Sequence, residues 1–393
     1  MKKEERKELK VLNLINQNEN WEDILSSSPY NIIIKHKYPF VLLKYSQIEP
    51  KSDMSNEIVQ ECRGLILKKV SDKYKIASMR FTKFFNYGQE EAAKLIFNPT
   101  VEASEKIDGS LIGVWYDEET GWHVSTSGNI DAQDAPIDVG EYNSYRDLFN
   151  EAWGDLSFDI LDKECTYMFE LVSPYTKLVV SYPETKLYLL AIRNNLTLEE
   201  FDRAYIPVIT QILFKDKIKC PKSFICSSID EIKKVVDNMT NEDENFEGFV
   251  LCDSKFNRIK LKSPIYTELF FIRGEGVFSN KKMLKIILDE QDDDILAYFP
   301  EYKENFDKVR HLLCLFIDKL KKSLSDGSKM YNKDRKDFAE WAKEQTCPDI
   351  LFKAYGRNYW EQDEDFQYDF FKNYIELIPI SKLDELIWEE ENE

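Results

Sequence analysis

EKIDGSLIGVWY, residues 105–116, is the stretch on which the reading of this chain turns. Lys106, Asp108 and Gly109 stand directly ahead of an apolar run rich in branched and aromatic residues. That pattern predicts a β-strand over Ser110–Tyr116 with a lysine poised at its edge. Taken alone, the segment reads more readily as a hairpin turn with a solvated lysine.

Other segments supply its company. RIKLKS, residues 258–263, alternates its side chains as a strand, so Lys260 and Lys262 share one face and Ile259 and Leu261 the other. Two lysines side by side repel unless an anion lies between them, and a nucleotide phosphate is one candidate. FEGFVL puts Glu247 just ahead of a preceding strand, and the DSKFN turn folds that strand back, so Glu247 comes within reach of the lysines. A plain surface hairpin with an ordinary Glu–Lys pair fits the same residues. In YMFELVSP, Glu170 interrupts an apolar strand and wants a cation, a metal or a ribose hydroxyl, unless it faces water. ECRGLIL and FTKFFNYG carry Arg63 and Lys83. Of Phe84 and Phe85, one reads as core and the other as a plate on which a base can stack.

Around these segments the chain up to about residue 270 reads as short strands with interspersed helices. Strands are predicted at Phe40–Tyr45, Gly64–Leu67, Lys73–Met79, Ser110–Tyr116, Trp122–Ser127, Tyr167–Val172, Leu187–Arg193, Gly248–Cys252 and Arg258–Lys262. Capping-box pairs, Thr197 with Glu200 and Ser228 with Glu231, announce two helices. Strands with neighbours only a turn away favour antiparallel sheets, hence an α+β fold rather than a doubly wound one. Beyond about 272, Val309, Leu312, Leu313, Phe316, Leu320 and Leu324 recur at helical spacing and no strand follows. Two domains are expected, 1–271 and an all-helical 272–393.

Bulk properties narrow the function. The 393 residues are 43% hydrophobic, enough for real cores, and no apolar run is long enough to span a bilayer. A soluble, cytoplasmic protein is expected. Seven scattered cysteines with no zinc spacing read as reduced thiols, and three histidines argue against a histidine metal site. A net charge of −19 argues against a general nucleic-acid coat. A local patch remains: Lys308 to Lys336 holds nine Lys/Arg against three Asp/Glu.

The order of the pieces is more telling than any one of them. Lysine–x–Asp–Gly, a strand Glu, Glu–Gly and Lys–x–Lys form the ordered series of the covalent nucleotidyltransferases. More closely, the chain resembles the RNA ligase 1 family of phage tRNA-repair ligases. Its ECRG, KFFN and a tyrosine four residues past the second lysine are matched by Glu61–Gly64, Lys83–Asn86 and Tyr266. KDRK at 333–336 and the acidic run Asp292–Asp294 extend the resemblance into the C-terminal part. One departure is a family lysine replaced near Ser127.

The resemblance implies a nucleotidyltransferase (adenylyltransferase) core followed by a helical RNA-specificity module. It implies an ATP-dependent RNA ligase in which Lys106 attacks the α-phosphate of ATP. The AMP then passes to an RNA 5′-phosphate, and the 3′-hydroxyl of the other end attacks to seal the strand. An attacking lysine must shed its proton, which cations such as Lys260, Lys262 and a metal ion would encourage. By resemblance, Lys260 and Lys262 hold the α-phosphate, and Glu247 serves a metal (Mg²⁺, with Mn²⁺ as the alternative) or orients the lysine. Tyr45, Arg63, Lys83 and Glu170 contact the nucleotide, with Phe85 near the base. Asp293 is a further metal candidate, with a solvated acidic loop as the plain alternative. Tyr266, Lys333, Arg335 and Lys336 are the RNA-binding candidates, set against an ordinary solvated helix face. The substrate would be RNA with 5′-phosphate and 3′-hydroxyl ends, cleaved tRNA among them. A separate end-healing kinase/phosphatase would act beside a monomeric ligase, in a host cytoplasm if the source is a phage. A capping guanylyltransferase and a DNA ligase share the core motifs but add a β-barrel, and a non-catalytic nucleotide-binding module would lack one of the key residues.

Overall fold

The computed structural model describes residues 9–47, 50–97, 100–139, 142–176, 180, 182–215, 217–242, 246–263, 280–288, 292–296, 300–345, 347–362, 366–367, 370–371 and 374. The chain divides into two compact units, Met1–Ser46 with Pro50–Arg273, and Gln47–Glu49 with Gly274–Glu393.

In the first unit the strands are, in chain order, β1 (Ile32–Lys37), β2 (Phe40–Tyr45), β3 (Arg63–Val70), β4 (Lys73–Ser78), β5 (Phe85–Asn86), β6 (Val101–Glu105), β7 (Ser110–Asp117) and β8 (Gly121–Ser125). There follow β9 (Pro136–Val139), β10 (Tyr142–Ser144), β11 (Cys165–Val172), β12 (Lys186–Asn194), β13 (Ser223–Cys226), β14 (Gly248–Cys252) and β15 (Arg258–Lys262). Three larger sheets run β1-β2-β3-β4, β13-β6-β14-β15-β5 and β12-β11-β7-β8. Their pairings are antiparallel except β15 with β5. The fold is α+β, as the sequence predicts.

Period-two alternation explains the layers. In β2, Val41, Leu43 and Tyr45 face a core shared with the N-terminal helices, while Phe40 and Leu42 face Trp115 and Ile66 on the other side. In the hairpin of β14 and β15, Phe249, Leu251, Ile259 and Leu261 pack against Ile232 and Val236 of the helix Ile229–Glu242. Lys260 and Lys262 are thereby turned to the opposite face, the arrangement their spacing predicts.

Several sequence expectations are corrected. The strand expected at Trp122–Ser127 stops at Ser125, and those expected at Gly64–Leu67 and Tyr167–Val172 are longer, Arg63–Val70 and Cys165–Val172. No helix starts at Thr197: the Asn194 side chain accepts from the main-chain N–H groups of Leu196 and Thr197, making a turn. Glu200 is drawn away from any cap into ion pairs with Arg193 and Arg258. The helix expected after Ser228 forms. Ser228 Oγ accepts from the Glu231 N–H, while the Glu231 carboxylate reaches back to Ser227 instead.

In the second unit the described secondary structure is helical. Its long helix Lys303–Tyr331 buries Val309, Leu312, Leu313, Phe316, Leu320 and Leu324, the six residues whose spacing predicts it. All seven cysteines are free. No helix among the described residues is long and apolar enough to cross a membrane.

Candidate active site

The site is built where the three larger sheets of the first unit contribute side chains. Lys106 follows β6, and its main-chain N–H donates to Gly248 O at 2.8 Å. That bond hangs the lysine from β14, just past Glu247. Gly248 has φ +138°, and a Cβ there would lie 2.2 Å from Leu261 O, so only glycine lets the two strands of the hairpin approach this closely. Gly109 works in the same way, since a Cβ there would meet Leu171 O at 2.4 Å; its absence closes the gap between the Lys106 turn and β11.

With the backbones so placed, Lys106 Nζ lies 2.6 Å from Glu247 Oε1 and Lys262 Nζ 3.2 Å from the same oxygen. Glu247 is buried, and its Oε2 has no hydrogen-bond partner among the described residues. Burial pushes the Glu247 carboxyl up, and Lys106 and Lys262 oppose the shift. Glu170, half-buried on β11, shares with it the neighbour Lys106. Its carboxyl is raised to about 7, by burial first, with Glu247 and Asp108 adding to the rise and Lys106 and Arg63 opposing it.

Asp108, the acid of the lysine turn, is itself anchored. Its Oδ2 accepts from Val180 N at 2.9 Å, and its N–H donates to Tyr182 Oη at 3.2 Å. Tyr182 is a residue that sequence reasoning misses, since nothing local marks it.

On the other flank, Arg63 begins β3 and sits with Cζ 5.3 Å from the Phe84 ring; its Nη1 is buried with no partner among the described residues. Lys260 Nζ lies 5.8 Å from the same ring. Lys83 Nζ stands 5.3 Å from the Tyr45 ring and 5.7 Å from Phe85. Phe85, expected near the base, is buried at 5% exposure, whereas Phe84 is the more open ring. A second missed residue is Arg80, fully buried under Gly64, where its Nη2 donates to Gly64 O at 2.6 Å. Burial first, and Arg63 second, work against its charge. Ser127 lies at the same place, its carbonyl 2.7 Å from where a Gly64 Cβ would be.

The structure thus brings together Tyr45, Arg63, Lys83, Lys106, Glu170, Glu247, Lys260 and Lys262 in one unit, with Phe85 buried beside Lys83. The remaining candidates belong to the second unit or fall outside the described residues. Asp293 sits in the short helix Asp292–Leu296 of the second unit, where its neighbour Asp292 is buried against Arg310, so the acidic run is not a solvated loop. Lys333, Arg335 and Lys336 are exposed at the start of the helix Arg335–Lys343, which Asp334 caps through Lys336 N at 2.8 Å. Tyr266 lies outside the described residues. Among the described residues, no group of three or more His, Cys, Asp or Glu could hold a metal ion. The buried Oε2 of Glu247, without a partner among the described residues, is nonetheless a fit for a single protein ligand to a divalent cation whose other ligands would be phosphate and water.

A family model described as RNA ligase matches residues 61–266, just over half of the chain. The chain belongs to the RNA ligase family. Similar to it is a protein of Autographa californica nuclear polyhedrosis virus, named as a putative bifunctional polynucleotide kinase/RNA ligase, 30% identical over 294 residues. That match covers 68% of this chain and 38% of the viral protein, so the chain spans well under half of that relative. An RNA ligase of Rhodothermus phage RM378 is 24% identical over 309 residues, covering 64% of this chain and 68% of the phage protein. A solved archaeal ATP-dependent RNA ligase overlays with a TM-score of 0.45 at 10% identity, covering 74% of this chain and 73% of the archaeal one. Within this member of the RNA ligase family the matched span runs from Glu61 to Tyr266 and so takes in all the gathered candidates except Tyr45.

Proposed function

We propose that this RNA ligase joins a 5′-phosphate and a 3′-hydroxyl RNA end at the expense of ATP, through a covalent AMP on Lys106. The observation that carries the reading is the shared carboxylate: Glu247 holds Lys106 and Lys262 on one oxygen, beside Glu170. A reaction at phosphorus needs positioning and charge neutralisation more than covalent help. Lys260 and Lys262 would bind the α-phosphate. Lys106, once neutral, attacks phosphorus, the bond to pyrophosphate breaks, and the lysine nitrogen is left joined to AMP. The RNA 5′-phosphate then displaces the lysine, and the 3′-hydroxyl displaces AMP. Glu247 would hold Mg²⁺ or Mn²⁺, which supplies charge neutralisation at the phosphates when bound. Arg63, Lys83, Tyr45 and Glu170 would line the nucleotide, and Phe85 would back the base site.

In this reading residues 1–271 form the adenylyltransferase domain and 272–393 a helical module that selects RNA through Lys333, Arg335 and Lys336, with Tyr266 as a further RNA-binding residue and Asp293 a second metal ligand. The described helices there differ from the β-barrel that a capping enzyme or DNA ligase would add. The kinase/ligase name of the viral relative supports a partner that heals RNA ends before sealing; cleaved tRNA is a fitting substrate, a host cytoplasm a fitting place, and a monomer the expected state.

The test is incubation with α-labelled ATP and a divalent cation. Label should remain on the denatured protein, vanish in Lys106→Ala and chase onto 5′-phosphorylated RNA. A Lys106→Ala variant that still takes label overturns the reading.

A further inference from the structure

Phe84 has a place in the site without an assigned role. It precedes β5 and packs, like Leu111 and Leu190, against the buried cluster of Phe81, Met168 and Ala191, the last two on β11 and β12. Phe81 meets it edge-on, ring centroids 6.0 Å apart at 89°. Two cations approach its ring from the other two sheets: Arg63 Cζ at 5.3 Å from β3, and Lys260 Nζ at 5.8 Å from β15. Both distances fall inside the ~6 Å within which an aromatic quadrupole attracts a cation.

Arg63 and Lys260 carry like charges and reach the same ring. Glu170 answers part of the Arg63 charge, but a carboxylate also neutralises part of the field that an incoming phosphate needs. An aromatic ring attracts both without bringing formal negative charge, and its own position is fixed by packing. We propose that Phe84 is a positioning residue whose ring holds Arg63 and Lys260 in place for the phosphates of the nucleotide. This rests on the ligase reading of the site. It assigns the ring to the phosphate side and not to stacking on the base.

Shape and charge distribution of a ring can be varied separately. Replacing Phe84 in the full-length protein by mono-, di- and trifluorinated phenylalanine drains the ring's negative face while nearly keeping its size. ATP affinity is expected to fall stepwise along that series, by on the order of tenfold in total. Affinity for adenosine, which has no phosphate, should stay constant. Phe84→Tyr should bind ATP as the native protein does, and Phe84→Leu as the trifluorinated form does. A flat ATP series overturns the proposal, and so does a parallel loss for adenosine, which would make the ring a base plate. Labelling of Lys106 in the native protein, measured alongside, reports separately on the ligase reading. Absent label with a stepwise ATP series sinks the ligase and keeps the ring's role.

Discussion

Glu200 closes on Arg258, the residue that opens the strand carrying Lys260 and Lys262, with Arg258 Nη1 3.1 Å from Glu200 Oε1. The same carboxylate takes Arg193 of β12, so one buried acid ties two sheets of the site together. Glu200→Gln leaves two buried guanidinium groups facing a neutral amide. Removing one partner of a buried ion pair costs about 3–5 kcal/mol. Urea unfolding should register that loss; a change under about 1 kcal/mol would contradict it.

Glu170 makes the stability of the free protein depend on pH. Its carboxyl is raised in the folded state from its ordinary 4.5 to about 7. Between those values the folded chain binds the proton that the unfolded chain has released, so the stabilisation present below about pH 4.5 is lost as pH rises through about 7. Glu170→Gln should remove this slope. Thermal unfolding of native protein and variant from pH 4.5 to 8 compares them, and parallel curves would count against the burial of that acid.

Lys260→Ala takes a charged donor from the place proposed for the α-phosphate. Loss of such a donor lowers the rate by about 10²–10³-fold. Single-turnover labelling of Lys106 with α-labelled ATP measures it, and Lys260→Arg should recover only part of the loss, because a guanidinium fork does not copy an ammonium.

Gly248→Ala forces a Cβ onto the Leu261 carbonyl at a φ of +138°. A destabilisation of about 2 kcal/mol or more is expected, together with slower Lys106 labelling, since the bond that hangs Lys106 passes through this residue. Urea unfolding and labelling on one preparation check both.

Neutralising Lys333, Arg335 and Lys336 together should weaken RNA binding and reduce its salt dependence, by roughly one unit of log–log slope for each phosphate left without its cation. Lys106 labelling by ATP alone should not change. An unaltered salt slope would assign these exposed residues to solvent.

The sequence is most legible where a residue's local pattern and its tertiary role agree. The β14–β15 hairpin is readable to the residue because Glu–Gly, the DSKFN turn and the alternation of Ile259 and Leu261 with Lys260 and Lys262 state one answer. The long helix of the second unit is readable for the same reason. Val101–Glu105 is not, because Ala103, Ser104 and two glutamates have little strand propensity; its place between β13 and β14 is imposed by pairing. Phe85–Asn86 is too short to show a period and exists only through β15. Thr197 and Glu200 have cap spacing, but Asn194 captures the turn and two arginines capture the acid. In the site, Lys106, Glu247 and Lys262 announce themselves by order along the chain. Tyr182 and Arg80 reach it only through folded neighbours and leave no local signal.

Position 106 is suspended by its main chain, from Gly248 on one side, with the next turn moored at Asp108 to Val180 and Tyr182. None of these bonds involves the lysine side chain itself. A different side chain carried there would therefore project from the same point, and a cysteine would offer a fixed anchorage for a spectroscopic label or a tethered nucleotide. The chassis of the reaction centre is separable from its warhead.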